Sequence, residues 1–170
     1  MNAIRDLEQR YFQIKFGLGK PSACIDWAID RLQANEEGED QDIVLLAAAT
    51  EATDALPLTE KILAKYLGYQ ALNEQLAAGK YVAELRKDFL AGKVSIEMLD
   101  SIFTKLYYRL DYPTWLTMLS RNCEYATDIP AFREPFEKEF EYITNLWEKS
   151  PTLEEFMRIY DKKISKTHDV

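Results

Sequence analysis

The stretch "SIEMLDSIFTKLYYRLDYP", Ser95 to Pro113, decides the fold class. Its apolar residues Met98, Ile102, Leu106 and Leu110 fall every fourth position, the spacing of one face of an α-helix. Ser95 is placed to cap the start, and Pro113 restricts Tyr112 and so ends the helix before it. Working outward, the same beat recurs along the chain. Ile4, Leu7, Tyr11 and Ile14 predict a helix over 3–16. Ser22 is read as the cap of a second, with Ile25, Ala28, Ile29 and Leu32 on one face, closed by a turn at Gly38. Asp40 is read as the cap of "QDIVLLAAATEA", apolar through most of its middle and therefore expected to be buried on more than one side.

Pro57 suits the first turn of a following helix, with Thr59 as a cap and Glu60 near its positive end. That helix carries Ile62, Leu63, Tyr66 and Leu67, is weakened at Gly68 and is expected to close at Gly79. "YVAELRKDFLAGK" should end at Gly92. After Pro113 a short helix, "PTWLTMLSRN", gives way to "CEYATDIPAFREP", read as a loop. Phe136, Phe140, Ile143 and Trp147 mark another amphipathic helix. Thr152 with Glu155 forms a capping box for a last one through Leu153, Phe156, Tyr160 and Ile164. Residues 166–170 are read as a frayed tail. No run alternates apolar and polar residues as a strand does, and no Asn-Gly or Asp-Gly hairpin turn occurs. The reading is therefore all-α: one globular domain over residues 1–165 with eight or nine helices, arranged as a helical-hairpin array or an irregular bundle.

With 170 residues, 47% of them apolar, the chain is long enough to bury a core without a disulfide or metal staple. Cys24 and Cys123 lie far apart in apolar surroundings and read as reduced core thiols. The N-terminus has no uninterrupted apolar run of the secretory kind, and no segment reaches the ~18 apolar residues of a membrane span, so the expected location is the cytoplasm.

The formal net charge is −8. It is concentrated: residues 1–60 hold twelve acids and five bases, and within 26–60 ten acids face the single base Arg31. Such a balance disfavours nucleic acid as a partner, because phosphate binding is driven by Lys and Arg. The sole histidine, His168, lies near the C-terminus, which removes histidine-based triads and zinc motifs from consideration. "GLGKPS" lacks the Ser or Thr and the leading Gly of a phosphate loop. Aligning Gly38 on the turn glycine of an EF-hand puts Gln33 first and Val44 twelfth, so both defining carboxylates are missing. A looser divalent site from Glu36, Glu37, Glu39, Asp40 and Asp42, and proton sharing between Asp26 and Asp30, are the remaining carboxylate chemistries; a solvated acidic face is the simpler account of both. No residue is assigned to catalysis, to a cofactor or to a metal.

Tyr107, Tyr108, Tyr112 and Trp115 cluster in sequence, and such residues are enriched in binding hot spots. Neighbouring Tyr107 and Tyr108 point about 100° apart on a helix, so one of them is expected to face solvent.

The segment "CIDWAIDRLQANEEGEDQDIVLLAAATEA", with Asp26-Trp27-Ala28, Leu32, a Gly turn and Leu46-Ala47, resembles a helix, turn and helix of small all-helical bacterial immunity proteins, those of contact-dependent growth inhibition and other polymorphic toxin systems. The resemblance implies a cytoplasmic, stoichiometric inhibitor of a toxin domain, often a nuclease, with no catalytic residue of its own. An acidic surface complements the basic cleft of such a toxin and speeds encounter with it. The expected contact residues are Glu36, Glu37, Glu39, Asp40 and Asp42, flanked by Asp30, Glu51 and Asp54, with Tyr108 and Tyr112 contributing affinity. The alternatives are a helical adaptor with another protein partner, or a carboxylate-based helical enzyme or metal protein.

Overall fold

The computed structural model describes residues 2–168. The described residues are all-α, with nine α-helices in the order α1 (Asn2–Lys15), α2 (Ala23–Gln33), α3 (Gln41–Ala48), α4 (Ala52–Leu67), α5 (Glu74–Leu90), α6 (Ile96–Arg109), α7 (Thr114–Asp128), α8 (Arg133–Lys149) and α9 (Leu153–His168). Single 3-10 turns, Tyr69–Leu72 and Pro130–Phe132, precede α5 and α8. Two compact units form, Met1–Ala77 and Ala78–Val170.

In the first unit α1, α2 and α4 pack on one another, and α3 is held between α2 and α4. Leu7, Tyr11, Phe16, Trp27, Ala28, Leu46, Ile62 and Leu63 form its core. The polar ends of buried rings are satisfied: Trp27 Nε1 donates to the Ala3 carbonyl at 2.9 Å, and Tyr11 OH donates to Glu60 Oε1 at 2.5 Å. In the second unit α7 packs against both α6 and α8. Trp147 stacks on Phe156 with centroids 3.7 Å apart while Trp115 meets Trp147 edge-on, and Phe103, Phe136 and Phe140 continue the aromatic core.

Ser95 and Asp40 cap α6 and α3 as expected, each accepting from a backbone N–H in the first turn. Thr152 Oγ1 likewise accepts from the Glu155 N–H. Ser22 does not cap α2; its hydroxyl donates to Asp26 instead. In α6 the buried stripe is Ile96, Leu99, Phe103 and Leu106, continued by Leu110 just past its end, so Met98 falls on the outer face.

Five boundaries differ from the sequence reading. Helix α4 begins five residues before Pro57, which lies in its interior, and Thr59 is a buried helical residue whose hydroxyl donates to the Ala55 carbonyl. Gly68, at φ +83°, ends α4, while Gly79 lies inside α5. Ala49 turns to extended backbone and stops α3 short of Glu51. The segment read as a loop after Cys123 is mostly helix, α7 running on to Asp128, because Asn122 and Cys123 are buried and the Cys123 thiol donates to the Ile96 carbonyl. Helix α9 extends to His168, into the segment read as a tail; residues 169 and 170 lie outside the described residues.

Candidate functional site

The acidic segment spans the end of α2, a turn, and the start of α3. Asn35 and Gly38, both with positive φ, shape the turn, and Asn and Gly are the residues that adopt that backbone most readily. The acids it carries have unequal roles. Asp42 is buried and receives Lys61 Nζ at 2.8 Å and Lys65 Nζ at 3.0 Å. Asp40, the α3 cap, receives Lys65 Nζ at 2.9 Å and Tyr66 OH at 2.7 Å. The hydrogen bonds from Lys61 and Lys65 hold the Asp42 carboxyl below the usual carboxylate range. Burial pushes Asp40 upward, but Tyr66, Lys65 and the Asp42 N–H together hold it below that range as well. Lys65 is raised in turn by Asp40 and Asp42. These two acids therefore fasten α3 to α4, and their charge is spent inside the protein. Both expected contact acids are thus ion-paired with lysines of α4.

Glu36 pairs with Arg31. The other five expected acids form no ion pair among the described residues. Asp30, Glu39, Glu51 and Asp54 are exposed, and Glu37 is half-buried with Oε2 shielded from solvent and accepting no hydrogen bond. They bracket α3 in the chain: Glu37 and Glu39 before it, Glu51 and Asp54 after it.

Helix α3 supplies what the sequence reading missed. Its expected burial on several sides holds only for Asp42, Ile43 and Leu46; Val44 is 44% and Leu45 54% exposed. Gln41, Val44, Leu45 and Ala48, spaced three, one and three, share one face of the helix and are all exposed. Val44 and Leu45 thus form an exposed apolar pair on α3, with unpaired carboxylates before and after the helix in the chain.

Tyr108 and Tyr112 lie in the second unit, 63% and 52% exposed. With Tyr107 they form a three-ring cluster in which each pair meets edge to face, centroids 5.2 to 6.3 Å apart. Asp111 and Tyr112 both hold positive φ, 57° and 58°, where residues with side chains are strained. The Tyr112 N–H donates to the Tyr107 carbonyl at 2.9 Å, fixing the turn that presents the rings.

Among the described residues no group of three or more His, Cys, Asp or Glu side chains is arranged to hold a metal ion. Nor is any helix among them long and apolar enough to cross a membrane. Cys24 and Cys123 are free and buried, with burial raising their thiols to about 11 and about 12. No protein-family model matches the chain, and comparisons with curated proteins and with solved structures return no match.

Proposed function

We propose that this protein is an immunity-type inhibitor that binds a basic toxin domain, a nuclease for preference, and neutralises it by stoichiometric occlusion. The observation that supports it best is the outward face of α3: Val44 and Leu45 exposed on a short helix, with unpaired Glu37, Glu39, Glu51 and Asp54 on either side in sequence. Long-range attraction by the acids raises the encounter rate, and the apolar pair, desolvated on contact, holds the complex. Occlusion needs no catalytic group.

The test is capture of partners by the tagged protein from its native lysate, washed at low and high salt, followed by expression of the captured domain with and without this chain. A basic, stoichiometric, salt-released partner that arrests growth alone and not in the chain's presence supports the reading. A harmless partner moves the assignment to a helical adaptor.

A further inference from the structure

A groove of about 270 Å³ opens on the second unit between α6 and α7. Asp100, Thr104, Tyr107 and Tyr108 line it from α6, and Arg121 and Glu124 from α7. Its size suits one side chain rather than a larger ligand. Oδ1 of Asp100 is shut off from water and accepts no hydrogen bond. Burial, then the charges of Glu124 and Asp128, push the Asp100 carboxyl above the usual carboxylate range. Arg121, exposed, lines the same groove and forms no ion pair with either carboxylate among the described residues. The groove of the free protein thus carries an electrostatic cost that an incoming cation would relieve.

We infer that this groove binds a guanidinium group, flanked by the carboxylates of Asp100 and Glu124 with its face against the Tyr108 ring. A planar guanidinium fits better than an ammonium, because it can hydrogen bond to carboxylates along its edge while stacking on an aromatic ring. The site lies apart in sequence from the α3 face and does not rest on the toxin reading.

The experiment is an NMR titration of the ¹⁵N-labelled full chain with three probes: L-arginine, a blocked Gly-Arg-Gly peptide, and the same peptide with neutral citrulline. Saturable shifts at the amides of Asp100, Tyr107, Tyr108 and Glu124 are expected with both arginine probes and not with citrulline. Glu124→Gln and Tyr108→Ala, both exposed positions that leave the core intact, should each weaken binding about tenfold. Arg121→Gln should tighten it by removing a like charge. Tighter binding of the blocked peptide assigns the site to an arginine of a partner protein; equal or tighter binding of free arginine assigns it to a small guanidine compound, and both support the site. Absence of saturation, equal response to citrulline, parent-like binding by both weakening variants, or loss of binding in Arg121→Gln, which would indicate an anionic ligand, overturns it.

Discussion

The α-carbon of Gly79 lies against the indole of Trp147, so closely that a Cβ built there would stand 2.2 Å from Trp147 Cδ2. The ring has no room to retreat, being buried and stacked on Phe156. Gly79→Ala would gain about 1 kcal/mol of helix propensity and incur an overpacking cost of about 1–3 kcal/mol. Net destabilisation is expected, read as a lower urea midpoint. The effect should shrink when Trp147→Leu is introduced alongside, because the double variant removes the clash.

Pro57 occupies the sixth position of α4, exposed, and leaves the Thr53 carbonyl without the donor four residues on. Pro57→Ala restores that bond without disturbing the core. Stabilisation of about 1–3 kcal/mol is expected, seen as a higher melting temperature; a lower one would mean that the ring contributes packing.

The link from Asp40 and Asp42 to Lys65 sets a pH dependence. Carboxyls lowered in the folded state contribute stability that is fully present above the unfolded value of about 3.9 and is lost as pH falls through the lower folded values. Lys65, raised in the folded state, contributes stability present below about 10.4 and lost as pH rises through its higher value. Asp42→Asn should therefore lower the urea midpoint at neutral pH. Its difference from the parent should fade at strongly acidic pH, where both carry neutral groups at that position.

The α3 face makes separable kinetic demands on the proposed complex. Replacing Glu37, Glu39, Glu51 and Asp54 by Gln or Asn should slow association and flatten its salt dependence. Leu45→Ala should instead speed dissociation, at a cost of about 1–2 kcal/mol in affinity, with folding stability within about 0.5 kcal/mol of the parent. Stopped-flow and surface-binding measurements separate the two; unchanged rates in both variants would remove α3 from the interface.

Cys24 and Cys123, buried and with raised thiols, should resist alkylation at pH 8 in the native protein and react when urea unfolds it. Mass spectrometry of iodoacetamide-treated samples reads this directly.

The helices were legible wherever a strong apolar stripe repeats, as in α8, whose four marked residues Phe136, Phe140, Ile143 and Trp147 are all buried. Local pattern failed where a distant contact decides. Gly68 and Gly79 look alike in sequence, yet only Gly79 meets a tryptophan nearly seventy positions away. The helix past Cys123 depends on burial against the start of α6, invisible in a segment rich in turn-forming residues. At the candidate site the acids could be read, but their pairing could not. Lys61 and Lys65, one helical turn apart, face two carboxylates spaced by two residues, and only the packing of α3 on α4 brings them into register.

That acid and lysine frame has an evolutionary consequence. Positions 40, 42, 61 and 65 are tied to one another and should vary together or not at all, whereas the exposed side chains of Glu39 and Leu45 form no ion pair or hydrogen bond among the described residues that would hold them fixed. Substitutions on the outer face of α3 can therefore accumulate while the scaffold beneath it stays fixed.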